Sequence, residues 1–119
     1  MKPGGDNVVD DYSFGRIVID GKEFTDDLII LPDRIKSKWW RDEGHRLQAQ
    51  DLDDVFEARP EVLIVGTGFA GVMSIDEGLR RRLRQEGIEL LVRRTTQACE
   101  EYNRLAATRR VAAALHLTC

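Results

Sequence analysis

Residues 60–71 read Pro60-Glu61-Val62-Leu63-Ile64-Val65-Gly66-Thr67-Gly68-Phe69-Ala70-Gly71, and the first half of that stretch decides the fold class. Val62 to Val65 is apolar at every position, the pattern of a strand covered on both faces, as parallel strands of α/β domains are. Downstream, Ser74 and Glu77 have the spacing of a capping box, which predicts a helix from Ile75 to Glu86 closed by Gly87, with Ile75, Leu79 and Leu83 as its buried stripe. Ile88 to Val92 supplies a second aliphatic strand, and the order strand, helix, strand requires a right-handed parallel crossover. Thr95 or Thr96 opens a further helix in which Ala98, Tyr102, Leu105 and Ala106 face the sheet. The alanines of residues 111–117 favour helix. A third crossover strand there would put Val111, Ala113, Leu115 and Leu117 on one face and His116 on the other, and the strand reading is adopted.

Upstream of Pro60 the pattern is antiparallel. Asp20-Gly21 between Arg16–Ile19 and Lys22–Phe24 is a tight hairpin signal. Leu28 to Leu31 is an aliphatic run stopped by Pro32, and residues 35–40 alternate, with Ile35, Ser37 and Trp39 opposite Lys36, Lys38 and Trp40. Asp51 caps a two-turn helix bearing Leu52, Val55 and Phe56, and Pro60 ends it by removing a donor and restricting Arg59. The expected fold is α/β: a single layered domain over residues 15–119, with a mixed sheet, an antiparallel N-terminal meander and a parallel β-α-β-α-β C-terminal half. Residues 1–14, with Gly4, Gly5, Asp6, Asp10 and Asp11, read as a flexible acidic tail.

Composition narrows the function classes. The chain has 119 residues, of which 42% are hydrophobic and 33% charged, enough for a real core without a cofactor. Its formal net charge of −3 gives no general attraction to nucleic acid or to an anionic membrane. No apolar run reaches the ~20 residues that span a bilayer. The opening residues have the wrong composition for a secretory signal or an organelle presequence, so a cytoplasmic protein is expected. Two scattered cysteines, Cys99 and Cys119, make neither a disulfide framework nor a zinc site.

Several residues are candidates for chemistry, and each has a structural alternative. Gly66-Thr67-Gly68-Phe69-Ala70-Gly71 matches the glycine spacing that brings backbone amides to a pyrophosphate, and Arg93 and Arg94 end the next strand. Against this, the capping box starts the following helix only at Ser74, away from the turn, and the alternative is a set of glycine-dependent backbone turns beside the sheet. A candidate ligand cleft therefore comprises His45, Gly66, Thr67, Gly68, Thr95, Thr96 and Asn103. The run Arg80, Arg81, Arg82, Arg84 could meet phosphate, but Asp76 with Arg80 and Glu77 with Arg81 have the spacing of local helix pairs. His45 and His116 have no metal-ligand spacing. Cys99 lies in the first turn of its helix, where the dipole would favour a thiolate; the alternative is a small helix-face residue. Trp39, Trp40 and Arg41 form a candidate partner surface, since alternation sends the two rings to opposite faces and aromatic residues beside arginine are common binding hot spots.

Trp39-Trp40-Arg41, Gly44-His45, Asp51-Leu52, the Gly66-Thr67-Gly68 turn, and Thr96, Ala98, Tyr102-Asn103 and Leu105 leading to residues 111–119 together resemble a small single-domain family of unknown function. It includes mitochondrial complex I assembly factor 3 and the adipogenesis-associated domain protein. The resemblance implies a layered α/β domain with a mixed sheet, no transferable catalytic residue and no cofactor. It also implies a non-enzymatic, assembly-factor-like role through a protein partner or a second copy of the chain. The alternative is a small-ligand binder, for a nucleotide or anion, or an enzyme built on the glycine turn. Because the aliphatic segments suffice for a core and no metal ligand set is present, a chelator should leave the thermal midpoint unchanged; a fall of several degrees in a melting experiment would reveal a missed site.

Overall fold

A computed structural model describes residues 7–119. The chain is a mixed α/β domain, and its organising element is a five-stranded sheet. Its strands are β4 (Leu28–Ile30), β5 (Ile35–Lys36), β7 (Val62–Gly66), β9 (Glu89–Arg93) and β10 (Val111–Leu115), in the spatial order β5-β4-β10-β7-β9. β7 runs parallel to both β9 and β10, while β4 is antiparallel to β10. Every residue of β7 and β10 is buried. The central position of β10 explains why an alanine-rich segment is a strand: with ladders on both sides and both faces covered, packing outweighs the weak strand preference of alanine.

Alternation along these strands feeds two cores, one on each face. Ile30, Ile64, Val111, Ala113 and Leu115 turn to one side, where they meet Ala98, Tyr102 and Ala106 of helix α3 (Thr95–Ala106). On the same side lie Ile17 and Ile19 of strand β2 (Arg16–Ile19), which with β1 (Val9–Ser13) and β3 (Lys22–Phe24) forms a separate antiparallel sheet. Ile29, Leu63, Val65, Ala112 and Ala114 turn the other way, against Trp39, Leu47, Val55 and Phe56 of helix α1 (Asp53–Ala58), and Leu79 and Leu83 of helix α2 (Glu77–Gln85).

The expected parallel half and the final strand are observed, and the Asp20-Gly21 turn has positive φ at both residues, 51° and 79°, as a two-residue hairpin with matching twist requires. Five local expectations change. Asp51 does not cap α1: it lies in a 3-10 turn over Ala49–Leu52, and Leu52 precedes the helix with no side-chain cap. The N-terminal strands do not form one meander: β1, β2 and β3 make their own sheet, and β4 and β5 join the parallel set through β10. The acidic tail expected over residues 1–14 does not hold at Val9–Ser13, which pairs with β2, and Asn103 on α3 clamps Val9, accepting from its N–H at 2.8 Å and donating to its C=O at 2.8 Å. Residues 1–6 of that tail lie outside the described residues.

The strand expected over residues 35–40 stops after Lys36, and Lys38 takes a positive φ of 54° that turns the chain. Finally, Ser74 does not cap α2. Ser74 and Ile75 form β8, paired in parallel with β6 (Arg46–Leu47), and Asp76 is the cap, accepting from Gly78 N–H at 3.1 Å. The Asp76 carboxylate reaches Arg46 instead of Arg80, and Glu77 lies nearest Arg84, at 3.9 Å, instead of Arg81. Arg82 pairs with Glu86 and lies over the Phe56 ring.

Since the Asn103 amide satisfies both backbone groups of a buried Val9, Asn103→Ala should cost about 1–3 kcal/mol, read as a lower urea midpoint with unchanged m-value.

Candidate functional site

The glycine turn leaves β7 at Gly66 and passes beneath the end of α3, where Thr95 and the C-terminal segment meet it. Thr95 Oγ1 accepts from Gly68 N–H at 2.9 Å and donates to His116 C=O at 2.6 Å, and Thr95 N–H donates to Gly68 C=O at 3.1 Å. Thr67 N–H goes to Arg93 C=O, Phe69 N–H to Thr118 C=O, Gly71 N–H to Gly68 C=O and Val72 N–H to Cys119 C=O. The amides of Thr67, Gly68, Phe69 and Gly71, which a phosphate cradle would need, are thus engaged by the chain itself. Gly68 is needed for a related reason: its φ is +109°, and a Cβ there would lie 2.2 Å from the Cys119 carbonyl carbon. The glycine spacing here serves close passage of two backbones.

The proposed cleft residues are dispersed around this packing. Gly66, Thr67, Gly68 and Thr95 are buried, Thr96 and His45 are exposed, and the exposed Asn103 spends its amide on Val9. His45 does approach His116, ring centroids 5.9 Å apart. Sequence reasoning missed the residue that organises this end of the sheet, Asp27, because nothing in its local pattern marks it. One carboxylate oxygen of Asp27 receives His116 Nδ1–H at 2.7 Å and lies 2.9 Å from Arg41 Nη2 in an ion pair, while the other accepts from Leu117 N–H at 2.7 Å. An ionised carboxylate only accepts, so His116 Nδ1 carries its hydrogen toward Asp27, and Arg41 Nη2 lies 3.2 Å from that nitrogen.

Arg41 is buried to within 5% of its side-chain surface and also donates to Gly44 C=O from Nε and Nη2. Its Nη1 and His116 Nε2 are buried without a hydrogen-bond partner among the described residues. Arg41 therefore belongs to a closed polar cluster, and of the three candidate partner-surface residues only Trp40 is exposed, at 74%. Trp39 is core at 2% exposure, its Nε1–H donating to Asp51 C=O at 2.9 Å and its ring beneath the Arg41 guanidinium. Asp51 itself accepts from Gln48 N–H and Asp42 N–H, which folds the 42–51 segment against Trp39.

Cys99 is buried, and burial first, then the charge of Glu100, pushes its thiol up to about 12, so the helix position produces no thiolate. The glycine loop has an outward side as well: Phe69 meets Phe14 edge-on at 6.1 Å, and both rings are more than half or half exposed.

Burial works against the charged form of Asp27, but the hydrogen bond from His116, that from Leu117 and the charges of His116 and Arg41 outweigh it and hold the carboxyl below its ordinary value. A carboxyl depressed in the folded state adds stability that is complete above its unfolded value and is lost as pH falls through its folded one. Asp27→Asn should therefore cost about 3–5 kcal/mol at neutral pH, because it strands a buried arginine, and should flatten the fall of stability below about pH 4. Denaturant titrations at stepped pH give both quantities.

With the fold in place, its relatives can be stated. The chain is 28% identical over 109 residues to the NADH dehydrogenase (ubiquinone) 1 alpha subcomplex assembly factor 3 of Xenopus tropicalis, covering 89% of this chain and 58% of that protein. It thus spans little more than half the length of that relative. A Bartonella henselae structure described as that of an outer membrane protein superposes with a TM-score of 0.82 at 27% identity over 100% of both chains. A conserved hypothetical protein of Pyrococcus horikoshii OT3 superposes with a TM-score of 0.80 at 28% identity, covering 93% of this chain and 98% of that one. A family model described as protein of unknown function (DUF498/DUF598) matches residues 9–116, and the chain belongs to that family.

Proposed function

We propose that this chain is a non-enzymatic, assembly-factor-like module that holds a protein partner through the surface around Trp40. The observation that carries the reading is the placing of Trp40. Trp40, a residue 74% exposed, stands between two locked neighbours, Trp39 in the core and Arg41 in the Asp27 cluster. An aromatic anchor on a rigid base binds with little ordering cost, which is how binding hot spots gain their energy. Kinship supports the same reading, since the frog relative is by name an assembly factor.

The engagement of the glycine-turn amides weighs against the alternative of a nucleotide or anion site there. Pairing of Arg82 with Glu86 and its stacking on Phe56 weigh against a nucleic-acid face on α2. Among the described residues no helix is long and apolar enough to cross a membrane. Cys99 and Cys119 are not bonded to each other, which fits a reducing compartment such as the cytoplasm.

Two variants separate anchor from core. Trp39→Ala should lose about 3–5 kcal/mol of stability, as a buried ring does. Trp40→Ala should keep the thermal midpoint within about 1 °C and lose the proteins that the wild-type chain enriches from native lysate, quantified by mass spectrometry. Equal enrichment by both folded chains would reject the Trp40 surface.

A further inference from the structure

The five-stranded sheet has two edges, and they are built differently. At one, β5 is two residues long, Pro32 lies just before it, Lys36 is tied to Asp54, and the positive φ of Lys38 turns the chain away. Those are the usual protections of an edge. At the other, β9 is a regular strand of five residues, Glu89-Leu90-Leu91-Val92-Arg93, with no proline, no lysine and full register against β7. Its three central side chains are only half-buried although α2 and α3 pack on the two faces beside it.

The backbone of β9 shows what it offers. Glu89 N–H donates to Glu61 C=O and Arg93 C=O accepts from Thr67 N–H, so residues 89, 91 and 93 turn their backbone groups toward β7. In a parallel ladder the alternate residues face away. Leu90 and Val92 therefore present N–H and C=O groups at the open edge. Val92 C=O is accessible enough for the Arg93 guanidinium of the same chain to fold back onto it, at 2.9 Å.

We infer that β9 is the docking edge for a second copy of this chain, which adds its own β9 antiparallel across a two-fold axis through Leu91. In this register Leu90 of each copy lies opposite Val92 of the other, so the outward-facing backbone groups exchange four hydrogen bonds. Leu91 meets its own counterpart in the closer, non-hydrogen-bonded type of pair. Glu89 of each copy lies opposite Arg93 of the other, giving two cross-strand ion pairs. Shifting the dyad by one residue to Leu90 or Val92 keeps the backbone facing but removes both ion pairs and shortens the ladder. The sequence is thus self-complementary in one register, as an isologous contact demands. The main-chain bonds and the apolar contacts of Leu90, Leu91 and Val92 hold the copies together. The charges select register, because exposed ion pairs add little energy and Glu89 and Arg93 already have Arg109 and Glu101 within reach in their own chain. The edge lies at the opposite side of the sheet from β4 and β5, where Trp39 N–H bonds Asp27 C=O, so the dimer contact is independent of the Trp40 surface.

Sedimentation velocity of the full chain from about 5 µM to about 500 µM should show a reversible monomer–dimer equilibrium. Val92→Pro removes one outward N–H per chain without touching the ladder to β7, and should raise the dimer Kd at least about tenfold with the thermal midpoint retained. Trp40→Ala should leave the Kd unchanged. In a Cys119→Ser background, Leu91→Cys should give a disulfide-linked dimer under mild oxidation, since the two sulfurs meet at the axis. Glu89→Cys should not, because the two copies of residue 89 are about 13 Å apart. A chain that stays monomeric at every concentration, a dimer indifferent to Val92→Pro in a folded variant, or cross-linking of Glu89→Cys as efficient as that of Leu91→Cys would each overturn the assignment. Should Val92→Pro unfold, the two cysteine variants still decide the register.

Discussion

The Asp27 carboxylate is the interaction on which the rest of the structure depends. It lies in the short link between the outer sheet and β4, accepts hydrogen bonds from His116 and Leu117 at the end of β10, and forms an ion pair with Arg41 beyond β5. One side chain therefore ties three segments that are far apart in sequence, and it does so where the sheet changes from parallel to antiparallel pairing. A buried carboxylate with a single partner would be costly. With an imidazole and a backbone amide as donors and the arginine charge beside it, the ionised form is the favoured one, and the acid is held below its ordinary range.

The same end of the sheet shows how a ligand-like motif can serve the chain that contains it. Helix N-termini and glycine-rich turns bind anions because their amides are unpaired and the backbone is approachable. Here α3 begins beside the turn, and Thr95 stands between the two, accepting from Gly68 and donating to His116. The amides of Thr67, Phe69, Gly71 and Val72 meet carbonyls of Arg93, Thr118, Gly68 and Cys119. The glycines bring two backbone segments within contact, and the loop's free side is left to Phe69, which rests edge-on against Phe14.

Trp39 and Trp40 illustrate how one turn sends one ring into the core and leaves its neighbour outside. Strand alternation would send neighbouring side chains to opposite faces, and so does the irregular backbone actually present, in which Lys38 has a positive φ. Trp39 becomes a core residue, bonded to Asp51, while Trp40 is left outside on a support that Arg41 fixes from the other side. The partner surface proposed above rests on that rigidity rather than on the bare exposure of an aromatic ring.

What the sequence determined by itself was local and periodic. The unbroken apolar run of β7 marked a strand covered on both faces, Asp20-Gly21 marked a hairpin, Pro60 closed α1, Gly87 ended α2, and the order of strands and helices fixed the parallel half. These follow from steric rules and burial patterns that act within a few residues. Tertiary structure decided where competing local choices went. Ser74 had the spacing of a cap, yet pairing with Arg46 drew it into β8 and left Asp76 to cap the helix. Asp11 and Tyr12 read as tail, but Asn103, ninety-four positions from Val9, made their segment a strand. The glycine turn and the Asp27 cluster were beyond reach for the same reason: each polar group has a partner distant along the chain, and no local pattern records which partner the fold will bring to it.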